Sequence, residues 1–73
     1  MGKFQKIIVE LRSEEGLSQM ELADALQISQ SSIAKWELGK TEPTLVMLVK
    51  LAKFFHVTTD YLVGLTDENG NPI

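Results

Sequence analysis

Apolar positions recur at one-turn spacing in two short, neighbouring stretches of the chain. In the first stretch these positions are Leu22, Ala23 and Leu26. In the second stretch they are Ile33 and Trp36. Because 3.6 residues complete a helical turn, each stretch predicts a helix with one buried face. The few residues between the two stretches leave room only for a tight turn. The second helix has too many outward-facing polar side chains to be buried on all sides.

The starts of three predicted helices follow one local pattern. An apolar residue is followed by a serine or threonine that can cap the helix, and a second apolar residue comes four positions after the cap. The three sets are Leu17, Ser18 and Leu22; Ile28, Ser29 and Ile33; and Val57, Thr58 and Leu62. At the first start, Glu21 can also accept a hydrogen bond from the Ser18 amide, which completes a capping box.

Three further helices are predicted around this pair. The first covers residues 2–15 and ends at Gly16, a residue suited to the left-handed conformation that often follows a helix. The fourth begins after Pro43, and a short fifth covers residues 59–63. The apolar stripe of the first helix consists of Phe4, Ile7, Ile8 and Leu11. The apolar side of the fourth consists of Leu45, Leu48, Val49, Ala52 and Phe55.

Length and composition limit the chain to one small all-α domain. Its 73 residues can bury only a modest core, so we predict a compact five-helix bundle over residues 1–66. Residues 67–73 form a polar tail that we expect to be flexible. No apolar run approaches the roughly 20 residues of a membrane span, and charges interrupt the amino terminus, unlike a secretory signal. We therefore expect a cytoplasmic protein without membrane contact.

No residue set predicts an enzyme, a cofactor, a metal site or a small-molecule substrate. The chain has no cysteine, so a disulfide framework and a thiolate metal site are excluded. His56 stands without the neighbouring ligands that a metal site needs, and we expect it to be a half-exposed packing residue. Glu14 and Glu15 are adjacent and diverge on a helix, which favours a solvated face over an acid-base pair.

The charge balance argues against tight binding to a polyanion. The formal net charge is −3 at pH 7, and an acidic total repels DNA at long range. The distribution softens this objection, since residues 44–57 carry Lys50 and Lys53 and no acidic residue. Helix amino termini and neutral side chains can also contact phosphates. The composition predicts modest affinity for DNA and favours binding as a dimer.

Residues 4–65 resemble a known family of DNA-binding domains. The pattern is LR-x-E-x-GLSQ-x-ELA-x-x-L-x-IS-x-S-x-I-x-x-WE-x-GK-x-x-P, followed by LAKFFHVTTDYLVG. It is similar to the Xre-type, phage-repressor and Cro-like helix-turn-helix domain. The resemblance implies a five-helix fold that binds operator DNA as a dimer, most often as a repressor.

Helix-turn-helix docking predicts which side chains would meet DNA. The amino-terminal part of the second helix of the motif points at base edges in the major groove. The candidate base readers are therefore Gln30, Ser31 and Lys35, since glutamine suits adenine and lysine suits guanine. Ser32 lies beside them and can touch the backbone or a base. By similarity to the family, the remaining phosphate contacts are assigned to Gln19, Ser29, Lys40 and Thr41.

Two further residues have structural roles by resemblance. Arg12 and Glu37 correspond to the family's internal ion pair, which connects the first helix to the end of the recognition helix, the second helix of the motif. For Arg12 the alternative is DNA contact. Trp36 shares the face of Ile33, which favours a core position over a base-stacking platform.

Two positions depart from the family pattern. The turn of the motif usually contains glycine, and here it contains Gln27, which would cost on the order of 1 kcal/mol in the left-handed conformation. Leu38 occupies a position at which members of the family often have a polar or basic residue that contacts phosphate. We expect Leu38 to be partly buried against Leu45, and the alternative is contact with another protein.

The sequence therefore predicts a transcriptional regulator that binds double-stranded DNA sequence-specifically and represses by occupying a palindromic operator. A homodimer is expected, because one small domain reads few base pairs and two half-sites lie about 10 base pairs apart. The candidate dimer surface, or alternatively core, comprises Phe54, Tyr61, Val63 and Leu65. The alternative function is a protein-interaction module, antitoxin-like or antirepressor-like, built on the same fold.

Overall fold

The computed structural model describes residues 2–73 and is all-helical apart from turns and one isolated β-bridge within that range. The predicted all-α, five-helix fold is confirmed. The first and last helices each end one residue earlier than predicted, where the chain enters a turn. The helices are α1 (Gly2–Glu14), α2 (Gln19–Leu26), α3 (Gln30–Glu37), α4 (Leu45–Phe55) and α5 (Thr59–Leu62).

Each of the last four helices begins at a hydroxyl cap. The Ser18 side chain accepts from the backbone of Glu21, and the Glu21 carboxylate accepts from the backbone of Ser18, so the predicted capping box is present. Ser29, Thr44 and Thr58 each accept from the backbone amide three residues later. These bonds satisfy amides that would otherwise lack a partner at a helix start, so the sequence sets these four helix boundaries locally.

The core lies where α1 packs against α3 and α5, with α2 against α3. Phe4 of α1 meets Trp36 of α3 edge to face, with ring centroids 6.1 Å apart and an interplanar angle of 73°. Trp36 is therefore a core residue, as its spacing predicted. The other fully buried large side chains are Ile8, Leu22, Ile33, Leu51 and Leu62.

Two glycines allow the amino-terminal part of α1 to lie close to neighbouring turns. A Cβ on Gly64 would come within 2.6 Å of the Lys3 Cβ, and one on Gly39 within 2.5 Å of the Gln5 Oε1. Both glycines also have positive φ, which L side chains rarely adopt. At Gly64 the lack of a side chain therefore lets α1 pack against the turn after α5, whereas at Gly39 the positive φ is the reason for glycine.

The expected environment of α4 is partly wrong. Leu51, Ala52 and Phe55 are buried and Leu48 is half-buried, but Leu45 is 75% exposed and Val49 is 40% exposed. All but two of the 11 residues of α4 are apolar, so periodicity alone could not identify which side faces the core. Leu38 is also 64% exposed, which contradicts its expected burial against Leu45.

The turn of the motif adopts the left-handed conformation at Gln27, with φ 59° and ψ 43°. His56, expected to be half-exposed, is exposed, and it has a similar φ of 56° at the end of α4. At both positions the residue ends a helix, where glycine is the usual occupant.

Replacing Gln27 with glycine is expected to raise the free energy of unfolding by about 1 kcal/mol. Glycine avoids the Cβ clash of this conformation, although its freer unfolded chain offsets part of the gain. Urea unfolding measures the change. Gln27→Ala is the control and should give no gain, because alanine keeps the Cβ; equal effects of the two variants would contradict the explanation.

The carboxyl-terminal residues form a closed turn. The Asp67 Oδ1 accepts from the backbone amides of Asn69 and Asn71, each at 2.9 Å. Thr66 pairs with Pro72 in the β-bridge, and the Ile73 amide donates to the Leu65 carbonyl. The Asn71 amide hydrogen bond lowers the pKa of Asp67, so the carboxylate stays charged in this turn. Flexibility of residues 67–73 stays a prediction.

Candidate nucleic-acid interface

The second helix of the motif, α3, has one buried side and one exposed side. Ile33 and Trp36 are buried in the core, and Gln30, Ser31 and Lys35 are exposed. At 100° per residue, Ser31 and Lys35 fall on the side of α3 opposite the two buried residues, and Gln30 lies at the edge of that exposed side. The structure therefore brings the three predicted base readers onto one solvent-facing surface.

A cluster of serine hydroxyls surrounds the start of α3. The Ser29 Oγ accepts from the Ser32 backbone amide at 3.3 Å and lies 2.9 Å from the Ser32 Oγ. The Ser31 Oγ is 3.1 Å from the same Ser29 atom. Ser29 and Ser31 are exposed and Ser32 is half-buried. Ser29, one of the residues predicted to contact phosphate, is therefore also the cap of the helix. A helix amino terminus with several hydroxyls is a suitable neighbour for a phosphate group.

A chain of side-chain hydrogen bonds links α1, α2 and α3. The Gln30 Nε2 donates to the Gln19 Oε1 at 2.7 Å, and the Gln19 Nε2 donates to the Glu37 Oε1 at 2.9 Å. Glu37 in turn accepts from Arg12. Sequence reasoning placed Gln19 on phosphate and did not identify its bonds to Gln30 and Glu37. Those contacts depend on how α2 crosses α3, which no local spacing specifies.

Arg12 and Glu37 form the ion pair that the resemblance implied. The Arg12 Nε donates to the Glu37 Oε2 at 2.6 Å, and Arg12 Nη2 donates to Oε1 at 3.0 Å. A third donor of Arg12, Nη1, reaches the Leu17 carbonyl at 2.8 Å. The Arg12 guanidinium therefore joins α1 to the start of the motif and to the end of α3.

The ion pair is shielded from solvent, since the Glu37 side chain is only 8% exposed. The hydrogen bond to Glu37 raises the pKa of Arg12. Burial by itself would raise the pKa of Glu37, but hydrogen bonds from Arg12 and Gln19 and the positive charge of Arg12 outweigh it. The pKa of Glu37 is lowered as a result. Both partners are therefore charged at neutral pH.

Lys40 and Thr41 lie in the exposed turn that follows α3. The turn begins at Gly39, which has a φ of 73° and lies against Gln5 of α1. Sequence reasoning did not predict that Gln5 lies next to this turn. The available signal was the glycine itself, because a glycine after a helix often allows the close approach of another side chain.

Other kinds of site find no support in the described part of the chain. Within residues 2–73, no group of three or more histidine, cysteine or acidic side chains could hold a metal ion. Among the same residues, no helix has both the length and the apolar character needed to span a bilayer. The clearest assembly of polar side chains is thus the exposed side of α3 with its supporting network.

Comparison with known proteins identifies relatives. Residues 8–62 match the family model described as Helix-turn-helix. The HTH-type transcriptional activator BcrR of Enterococcus faecalis is 39% identical over 62 residues, which are 85% of this chain and 30% of BcrR. The cryptic phage CTXphi transcriptional repressor RstR of Vibrio cholerae serotype O1 is 35% identical over 69 residues, or 92% of this chain and 62% of RstR.

A third relative comes from a prophage. The SPbeta prophage-derived uncharacterized HTH-type transcriptional regulator YonR of Bacillus subtilis (strain 168) is 38% identical over 60 residues, which are 82% of this chain and 56% of YonR. The chain spans between 30% and 62% of the length of these three relatives. The family match covers most of the bundle, from α1 to α5. The chain therefore belongs to the helix-turn-helix family of the Xre, Cro and C1 type.

Proposed function

We propose that this chain is a cytoplasmic transcriptional regulator that binds double-stranded DNA sequence-specifically through α3. The single observation that supports this most is the common exposed surface of Gln30, Ser31 and Lys35 on a helix whose other side is anchored in the core. Family membership supports the same function, and the names of the relatives agree with it.

Base reading is assigned to Gln30, Ser31 and Lys35. A glutamine amide can accept from adenine N6 and donate to adenine N7, and a lysine can donate to guanine O6 and N7. The bond to Gln19 uses one of the two N–H groups on Gln30 Nε2, so the second N–H and the Oε1 are available to a base. Gln19 thus contacts Gln30 and leaves it one N–H donor and one oxygen acceptor for adenine.

Phosphate contact is assigned to Gln19, Ser29, Ser32, Lys40 and Thr41. Gln19 uses one N–H of its amide on Glu37, which leaves the other for a phosphate oxygen. Lys40 and Thr41 are exposed after the end of α3. Such contacts fix the position of a protein on the duplex and carry no base preference.

Repression by occupying a palindromic operator as a homodimer is the regulatory mode that we propose. One small domain reads few base pairs, so two copies on half-sites about 10 base pairs apart would supply the specificity. The relatives include proteins named as an activator and as a repressor. A reporter gene controlled by an operator selected from random oligonucleotides tests whether the protein represses or activates transcription. Increased expression in the presence of the protein would contradict repression.

A second candidate function is a protein-interaction module built on the same fold. The net charge of −3 and the 64% exposure of Leu38 favour it. Salt dependence separates the two candidates, because phosphate contact makes the logarithm of DNA affinity fall steeply and linearly with the logarithm of salt concentration. A flat or absent response on random duplex would favour the protein-interaction module.

Selection of bound oligonucleotides from a random pool tests the main proposal directly. A two-fold symmetric consensus is expected, because a homodimer reads the same half-site twice. Recovery of sequences without any common motif, from a protein shown to be folded, would contradict sequence-specific binding.

Gln30→Ala is expected to weaken binding to the selected operator by about 1–3 kcal/mol and to relax preference at one base position. Gln19→Ala should weaken binding to all sequences, because it removes a phosphate donor, with a smaller added loss of preference at the base read by Gln30, because it also removes the bond between the two glutamines. Fluorescence anisotropy on the operator and on single-base variants measures both effects. Asn69→Ala, in the carboxyl-terminal turn, is the control. Equal losses for Gln30→Ala and Gln19→Ala on every sequence would contradict the division into base readers and phosphate contacts.

A further inference from the structure

Two glutamines and a glutamate beside α3 form hydrogen bonds that all run in one direction. The Gln30 Nε2 donates to the Gln19 Oε1 at 2.7 Å, and the Gln19 Nε2 donates to the Glu37 Oε1 at 2.9 Å. In each glutamine amide the oxygen only accepts and the nitrogen only donates. Turning an amide by 180° about its last bond exchanges these two atoms and leaves the rest of the side chain in place. The orientation of the two amides therefore needs a cause outside the glutamines.

Glu37 supplies this cause, because an ionised carboxylate accepts hydrogen bonds and cannot donate them. Two bonds from Arg12, at 2.6 and 3.0 Å, hold the carboxylate in one position. Gln19 can meet the carboxylate only with its nitrogen, since the opposite orientation would bring two acceptor oxygens together. The Glu37 side chain is shielded from solvent, so such a mismatch would be costly.

The orientation of Gln19 then determines that of Gln30. With its nitrogen on Glu37, Gln19 turns its oxygen to Gln30, and Gln30 must meet that oxygen with its own nitrogen, which is the bond observed. Gln30 keeps its Oε1 and one N–H for a base. Adenine offers a donor at N6 and an acceptor at N7, which match this pair. Guanine offers two acceptors, O6 and N7, so the glutamine oxygen would oppose one of them.

We infer that Glu37 is a positioning residue for base reading: acting through Gln19, it sets which end of the Gln30 amide is offered to DNA and so selects adenine over guanine. In the inverted chain Gln30 would use its oxygen on Gln19 and offer the two N–H groups of Nε2, which suit the two acceptors of guanine. This inference rests on the proposed function, because Gln30 has to lie against a base. It gives the ion pair of Arg12 and Glu37 a role in specificity as well as in stability.

Exchanging the two charged residues tests the inference, because it places a donor where the carboxylate now lies. Arg12→Glu/Glu37→Lys keeps an ion pair between α1 and α3, but position 37 then offers only donors to Gln19, and both amides should invert. The operators compared differ only at the base where Gln30→Ala relaxes preference. The wild type should bind the adenine form at least about fivefold more tightly than the guanine form. The double variant should bind the guanine form at least as tightly, and an adenine preference equal to that of the wild type would overturn the inference.

Arg12→Lys is the matched control, because it weakens the same ion pair and leaves the Glu37 carboxylate in place. A lysine cannot form the two parallel bonds of a guanidinium, so stability should fall while the adenine preference stays within about twofold of the wild type. Urea unfolding and fluorescence anisotropy measure these two quantities. A loss of adenine preference as large as in the charge exchange would overturn the inference, because the stability of the ion pair would then control base preference.

A substitution at Gln19 gives a second test that keeps the native ion pair. Gln19→Lys replaces an amide that both donates and accepts with a group that only donates. The lysine can bond to Glu37, and Gln30 must then meet it with its oxygen. The adenine preference should fall at least about fivefold, while binding to random duplex should not weaken, because the variant gains a positive charge. An undiminished adenine preference would overturn the inference, including when the charge exchange does not fold.

Nuclear magnetic resonance without DNA separates this inference from the proposed function. In the wild type, nuclear Overhauser contacts should join the Gln30 amide protons to the Gln19 Cγ protons, since the Gln30 Nε2 faces Gln19. In Arg12→Glu/Glu37→Lys the Gln19 amide protons should contact the Gln30 Cγ protons instead. The inverted pattern in the wild type would overturn the inference.

The two measurements together distinguish the failures. The expected resonance patterns from a folded protein that binds no DNA sequence-specifically would support the orienting role of Glu37 and contradict the proposed function. Sequence-specific binding whose adenine preference survives both the charge exchange and Gln19→Lys would support the function and overturn the inference.

Discussion

Replacing Ile33 with alanine is expected to lower the free energy of unfolding by about 2–5 kcal/mol, the usual cost of removing a large buried side chain. Ile33 is fully buried and anchors the inner side of α3. A 73-residue domain has a total stability of about 4–11 kcal/mol at typical values per residue. This substitution therefore removes a large part of the stability, and urea unfolding measures the loss.

Two variants make the Ile33 prediction specific. Ile33→Val removes one methylene group and should cost about 0.5–1.5 kcal/mol. Leu65→Ala truncates a side chain that is largely exposed, and should change the stability by less than about 0.5 kcal/mol. A cost for Ile33→Ala no greater than that for Leu65→Ala would show that α3 is not anchored through this residue.

Replacing Arg12 with alanine is expected to lower the free energy of unfolding by about 2–4 kcal/mol at pH 7. The change leaves the shielded Glu37 carboxylate without its two bonds from Arg12, and an unpaired charge in such a place is costly. It also leaves the Leu17 carbonyl without the Arg12 donor. Lys6→Ala removes an exposed cation from the same helix and is the control, with an expected change below about 0.5 kcal/mol.

The pH dependence of the Arg12 variant gives an independent check. In the wild type the pKa of Glu37 is lowered from its ordinary 4.5. The contribution of Glu37 to stability is therefore complete above pH 4.5 and is lost as the pH falls through the folded-state pKa. In Arg12→Ala, burial would dominate and favour the neutral acid. The stability deficit of the variant should therefore be larger at pH 7 than at pH 4, and a deficit independent of pH would contradict the role of the ion pair.

The proposed homodimer and the proposed base reading through α3 would complement each other. The exposed side of α3 has neutral amides and hydroxyls with Lys35, and the turn after it adds Lys40, so a single copy offers few positive charges to DNA. Two copies would double these contacts on one duplex, and the second half-site would then bind at a high effective concentration. A domain with a net charge of −3 could thereby hold an operator that one copy binds only modestly.

Local sequence signals predicted the helix starts well, because their causes act within four residues. The capping box of Ser18 and Glu21 joins residues only three apart in the chain, and Ser29 caps α3 over the same distance. Helical spacing alone also predicted that Ile33 and Trp36 face the core. Resemblance to the family added the pair of Arg12 and Glu37, which spacing alone would not have indicated.

The environment of α4 could not be predicted in this way. Its sequence is apolar on almost every side, so a stripe containing Leu45 and Val49 was as consistent with helical spacing as the stripe that is buried. Which side faces the core depends on where α1 and α5 lie, and that arrangement is set by packing over the whole bundle. The same limit applies to Leu38, whose exposure depends on the distance between α3 and α4.

The sequence by itself determined the helix class, the caps and the inner side of α3, since these depend on backbone hydrogen bonds and periodicity within a few residues. Only the tertiary structure decided that Gln19 lies between Gln30 and Glu37, and that Leu45, Val46 and Val49 remain exposed to water. Those features depend on contacts between residues far apart in the chain. Such contacts form only when all the helices pack together, so no local pattern encodes them.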